Sequence, residues 1–124
     1  MTIQGSRRYT VPAVDAPVAQ MRKGLLEFCV LSLLSSRPRY GYELVQELAK
    51  SDGMLTTEGT IYPLLSRLRR ERLVDTEWRE STGGPPRKYY RVTSTGHRAL
   101  ASFRGEWRSL RDAVDGIVKG GVTK

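Results

Sequence analysis

The chain has 124 residues, 39% of them hydrophobic, and 21 Lys and Arg against 13 Asp and Glu, for a formal charge of +8. That length supports one core and not two ordinary domains, no apolar run reaches membrane-spanning length, and a single cysteine excludes an intrachain disulfide and argues against a thiolate zinc site. The positive balance favours a polyanionic partner, although charge alone is equally compatible with DNA, RNA, a membrane surface or an acidic protein.

Residues 1–20 carry Arg7, Arg8 and two prolines without a sustained period, and are read as a flexible arm. They lack the apolar stretch and cleavage pattern of a secretory signal, so a cytoplasmic location is expected. From Met21 to Leu34 the apolar residues cover more than one side of a helix, as in a central core element. Cys29, between Phe28 and Val30, reads as a buried apolar thiol. Ser35, Ser36 and Pro38 should end this helix.

A second helix fits Tyr42 to Lys50, with Leu44, Val45, Leu48 and Ala49 inward, followed by a Ser51-Asp52-Gly53 turn in which Gly53 is free to take positive φ. A third runs from Thr60 to Arg72. With Thr60 as N-cap, Pro63 falls at N3, where its missing amide proton costs nothing; an earlier start would put Pro63 inside the helix. Ile61, Leu64, Leu65 and Leu68 share one face, and Pro63, Ser66, Arg67 and Arg70 the other.

Strands are expected over Val74–Arg79 and Lys88–Val92, with residues 80–86 as a loop too long for a two-residue turn and with a Gly-Gly-Pro-Pro centre that disfavours pairing. The result is a protruding wing flanked by Arg79, Arg87 and Lys88, and Trp78 is assigned to the hydrophobic core. The last helix, residues 94–118, begins after Thr93 or Thr95. Along it Leu100, Phe103, Trp107, Leu110, Val114 and Ile117 advance by alternating threes and fours, a stripe that the small domain cannot cover alone and that a second copy would bury. Gly105 and Gly116 weaken the helix's own stability, which again favours association. Residues 119–124 read as a tail.

The predicted fold is therefore α+β and mainly α: a winged helix-turn-helix over residues 21–93 plus a dimerisation helix. The third helix would enter a major groove, with Thr60 near phosphate, Ser66 and Arg67 near base edges, Arg70 near phosphate and Tyr62 and Pro63 on the same surface. Gly84, Arg87 and Lys88 would bring the wing onto the backbone or a minor groove. Between Gly59 and Arg98 there are nine Lys or Arg and four Asp or Glu, a local excess of +5 that supports nucleic acid more strongly than the total does.

Four ordered segments carry a more specific signal: Gly24-Leu25-Leu26 through Leu34; Tyr40-Gly41-Tyr42-Glu43-Leu44; Gly59-Thr60-Ile61-Tyr62-Pro63-Leu64-Leu65-Ser66-Arg67-Leu68; and Gly84-Pro85-Pro86-Arg87-Lys88-Tyr89-Tyr90-Arg91-Val92-Thr93 with Gly96. Together they resemble the PadR family of transcriptional regulators, in its compact form with one C-terminal helix. The resemblance implies a homodimeric repressor that binds a double-stranded DNA operator and responds to a small apolar or aromatic effector. It also implies that Tyr89 and Tyr90 belong to the return strand of the wing. One departure stands out, because the family commonly ends its recognition helix with glycine where this chain has Glu71-Arg72-Leu73. A positive φ at Arg72 would be strained.

Phe103 and Trp107 are the candidate effector contacts, with packing alone as the simpler role for Phe103. The different-class alternative is a basic winged module that binds RNA or protein without regulating transcription. No cofactor or metal site is expected. His97, the one histidine, has no second ligand beside it, and no nucleophile stands with an oriented base, which argues against an enzyme.

Overall fold

The computed structural model describes the backbone of residues 2–120 and the side chains of residues 19–120. The elements run α1 (Thr2–Ser36), β1 (Arg39–Tyr40), α2 (Gly41–Leu48), α3 (Glu58–Arg70), β2 (Val74–Ser81), β3 (Gly84–Val92) and α4 (Ser94–Val118). The strands form one antiparallel sheet in the order β1-β3-β2.

The backbone of α1 starts at Thr2, well before the Met21 start expected from periodicity, and the expected arm falls mostly on residues whose side chains lie outside those described. The end of α1 agrees with the sequence reading. Ser35 and Ser36 hydroxyls donate to the carbonyls three residues back, and the buried Arg39 donates from Nε to the Leu33 carbonyl at 3.1 Å. A cation on these unpaired carbonyls also suits the negative end of the helix dipole.

Leu26, Val30, Leu31 and Leu34 of α1 form the centre of the core, against Leu44 and Leu48 of α2, Ile61, Leu65 and Leu68 of α3, Val74, Tyr90 and Leu100. Cys29 is half-buried beside this cluster, and burial raises its thiol pKa, as the sequence reading of an apolar thiol requires. Ala49 does not face inward as expected; it lies exposed just past the end of α2.

The N-cap of α3 is Thr57, not Thr60, so Pro63 lies at the sixth helical position. Its ring removes the amide that would bond the Gly59 carbonyl, a cost of about 3 kcal/mol. Ile61, Leu65 and Leu68 are fully buried on the same helix, and at about 1.5–3 kcal/mol each they outweigh that loss. Packing therefore carries the helix through the proline. At the other end the Leu73 amide donates to the Leu68 carbonyl and the Arg72 amide to that of Arg69, closing the helix with Arg72 at φ 63°. The strain expected at this non-glycine position is present.

The wing differs from its sequence reading. Strands β2 and β3 continue to a Ser81–Gly84 pair, leaving Thr82-Gly83 as a two-residue turn with Gly83 at φ 74°. Pro85 and Pro86 are accommodated because the register slips between Arg79 and Ser81, and because β1 pairs with β3 only at Tyr89 and Tyr90. A proline is tolerated where the ladder is interrupted and a second neighbouring strand is missing. The Ser81 hydroxyl donates to the Pro85 carbonyl at 2.6 Å and steadies the bulge.

Helix α4 is capped by Thr93, whose hydroxyl accepts from the Gly96 amide at 3.0 Å and donates to the Arg72 carbonyl at 2.7 Å. A side chain at Gly96 would collide with the Leu73 carbonyl. The α3–β2 turn and the start of α4 are thus locked together by one hydroxyl and one missing Cβ.

Candidate nucleic-acid interface

The core uses up the apolar side of α3 and turns its other side outward. Thr60, Tyr62, Pro63, Ser66, Arg69 and Arg70 are exposed along that side. Tyr62 approaches α2 closely: a Cβ at Gly41 would sit 2.5 Å from Tyr62 Cε1, so the ring takes this position because Gly41 has no side chain and would have to shift if it had one. Partial burial, with Glu58 nearby, pushes the Tyr62 phenol above its ordinary pKa, and the phenol, neutral like any tyrosine at physiological pH, is able to donate. Thr60 lies in the first turn of α3 but does not cap it.

Arg67 points elsewhere. Its guanidinium donates to Glu27 of α1 at 2.8 Å and contacts Glu71 at 3.3 Å. The hydrogen bond to Glu27 is the leading cause of its raised pKa. Placed by sequence at the base edges, Arg67 instead ties α3 to α1. Periodicity put it on the polar side but could not reveal an acidic partner 40 residues earlier.

The wing forms the second wall. Along β2 the residues Val74, Thr76 and Trp78 share the sheet face that α3 packs on, opposite Val92, Tyr90 and Lys88. Val74 and Tyr90 are buried, but the next rung outruns the helix layer, and Trp78 is 68% exposed. Its assignment to the core is corrected: Trp78 is on the inward-facing side of the strand, but α3 is too short to cover the hairpin's full length. Between α3 and the wing run two adjoining clefts. One, of 360 Å³, is lined by Ser66, Arg69, Arg70, Lys88 and Tyr90. The other, of 450 Å³, is lined by Tyr40, Tyr62, Ser66, Trp78, Arg87, Lys88 and Tyr90.

On the opposite sheet face, Glu77 pairs with Arg79 and Arg91, each at 2.7 Å. The Arg79 hydrogen bond is the main reason the Glu77 carboxyl lies below the usual carboxylate range. Arg79 also lies 4.4 Å from the Tyr89 ring centroid, and Arg87 4.6 Å from that of Tyr40. Gly84 stands beside the turn at the exposed tip. The two clefts bring Tyr62, Ser66, Arg70, Arg87 and Lys88, all named from the sequence, to one surface, together with Arg69 and Trp78, which the sequence reading did not place there.

The residues expected on the dimer stripe divide along α4. Leu100 is 2% exposed and belongs to the intrachain core, not to an outer face. Phe103 stacks on Phe28 of α1 at 4.0 Å between centroids, and Trp107 on Phe103 at 6.0 Å. Leu110, Val114 and Ile117 are 58%, 47% and 68% exposed. With Met21, Gly24 and Leu25 of α1, Trp107, Leu110 and Val114 border an apolar groove of 360 Å³. Among the described residues no cluster of three His, Cys, Asp or Glu is placed to hold a metal ion, and no helix is long and apolar enough to cross a membrane.

A three-helix core, a recognition-type helix with a cationic outer side and a β-wing closing over it define a winged helix-turn-helix protein. The family model of PadR-like transcriptional regulators matches residues 30–102, and the chain belongs to that family. It is a DNA-binding transcriptional regulator and not an enzyme. It is 43% identical, with a TM-score of 0.68, to a PadR-like transcription factor from Bacteroides fragilis, over 80% of this chain and 95% of that one. It is 40% identical, with a TM-score of 0.74, to a PadR family transcriptional regulator from Eggerthella lenta, over 86% and 92% of the two chains. A protein of Lysinibacillus sphaericus is 30% identical over 100 residues, 79% of this chain and 92% of its own length.

Proposed function

We propose that the protein is a cytoplasmic, ligand-responsive repressor that binds an inverted-repeat operator as a homodimer. The observation that carries this reading is the cationic surface shared by α3 and the wing, with Arg69, Arg70 and Lys88 around one cleft. Tyr62, Pro63 and Ser66 approach the major groove from α3. Thr60, Arg69 and Arg70 take phosphates, and Gly84, Arg87 and Lys88 bring the wing onto the neighbouring backbone. Arg67 acts as a positioning residue that fixes the pitch of α3 through Glu27.

The exposed Leu110, Val114 and Ile117 support pairing of α4 with the same helix of a second copy, because a monomer would leave them in water. Pairing sets two recognition helices at the roughly 34 Å spacing of successive major grooves. A small apolar or aromatic effector fits the groove beside Trp107, with Phe103 stacked behind it. Occupancy there changes the angle between α1 and α4 and, through the dimer, the spacing of the reading helices.

Footprinting on DNA upstream of the protein's own gene and its neighbours tests the reading. Two protected, inverted half-sites released by members of an aromatic ligand panel are expected. Equal, salt-sensitive retention of every fragment overturns sequence-specific recognition and favours a basic module for RNA or protein.

A further inference from the structure

We infer that the channel between α3 and the wing seats one sugar-phosphate strand of the DNA, and that Trp78 is a contact residue that closes on it; this rests on the DNA-binding reading above. A helix in the major groove and a wing over the adjacent minor groove must straddle the backbone that separates the two grooves. In this protein the straddling gap consists of the two adjoining clefts, with Ser66, Arg69 and Arg70 on one side and Trp78 and Lys88 on the other.

Trp78 has no role in the fold that accounts for it. It is 68% exposed, one rung beyond the last part of the sheet that α3 covers, and its ring contact is with the Lys88 ammonium at 6.0 Å. An indole combines a flat apolar face with one N–H donor. A deoxyribose followed by a phosphate presents the complementary pair, an apolar ring face and an anionic acceptor. Lys88, paired with Trp78 across the strands, and Arg70 opposite supply the charge that the neutral ring lacks. The ring therefore adds affinity without adding an ion pair, which separates it from its cationic neighbours in a salt titration.

The test uses the full chain and a duplex selected by it from a random library, followed by labelled-duplex titrations at several salt concentrations. Trp78→Ala is expected to weaken binding about tenfold, as for an aromatic interface contact truncated to alanine, with the slope against log salt unchanged. Lys88→Ala is expected to reduce that slope by about 1. Both side chains are partly or largely in water, so both variants should melt with the parent protein. A second readout needs no substitution: oxidative footprinting of the wild-type chain, read on the peptide Leu73–Arg79, should show Trp78 protected by the selected duplex and not by a shuffled one at the same salt. Parent-like affinity of Trp78→Ala, or unchanged oxidation of Trp78 in a complex that does form, overturns the proposal and leaves the DNA reading intact. Failure of the wild-type chain to select any duplex overturns the DNA reading itself.

Discussion

Helices α3 and α4 are both amphipathic, yet their apolar sides are treated differently. In α3 the three inward residues Ile61, Leu65 and Leu68 are all fully buried by the same chain, and its outer side is polar and cationic. In α4 only the first part is covered: Leu100 is in the core and Phe103 stacks on α1, whereas Leu110, Val114 and Ile117 remain in water. A single domain of this size has a core about as long as α3, and α4 extends past it. The difference separates a helix whose apolar side the chain covers along its length from one whose far half is left open among the described residues.

The largest effect is expected on the closed side. Leu65→Ala leaves a cavity at a fully buried position and should destabilise by about 2–5 kcal/mol, read from denaturant midpoints at fixed protein concentration. On the open side, Leu110→Asp with Val114→Asp should shift the protein from dimer to monomer in sedimentation equilibrium and abolish high-affinity operator binding. Its helical spectrum at 94–107 should persist, because Leu100 and Phe103 stay packed. A double variant that remains dimeric would show that α4 pairs through another surface.

Smaller changes sharpen the description of how α3 is fixed. Gly96→Ala places a methyl group against the Leu73 carbonyl and should cost about 1–3 kcal/mol by overpacking. Arg72→Gly removes a side chain from a residue at φ 63° and should stabilise by about 1 kcal/mol, since the left-handed region costs a non-glycine residue about that much. An unchanged or lowered melting temperature for Arg72→Gly would mean that the arginine contributes something the backbone strain conceals. Glu27→Gln breaks a partly exposed pair with Arg67 and should cost less than about 1 kcal/mol. Its effect on operator affinity should exceed its effect on stability, because Arg67 is then free to leave α1.

Much of the site was legible because it depends on local periodicity. The 3.6-residue repeat separated the buried and exposed sides of α3, and Ser66 and Arg70 could be placed outward from it alone. Comparing the helix end with the glycine usual there singled out Arg72 as the residue to be strained if its φ were positive, and its φ is 63°. Three features were not legible, each for a non-local reason. The Arg67–Glu27 pair joins residues far apart in sequence. The exposure of Trp78 depends on where α3 stops relative to the sheet. The tight turn of the wing depends on a register slip that accommodates Pro85 and Pro86, which a count of loop residues does not reveal.

The sequence by itself determined which side of α3 is apolar, where α1 ends, that α4 starts at one of two neighbouring threonines, and that a cationic hairpin follows the third helix, since these depend on neighbours within one or two turns. Tertiary structure alone decided how far each apolar side is covered. Burial requires another element to reach the residue, so Leu100 and Leu110 belong to one stripe in sequence and to different environments in the fold.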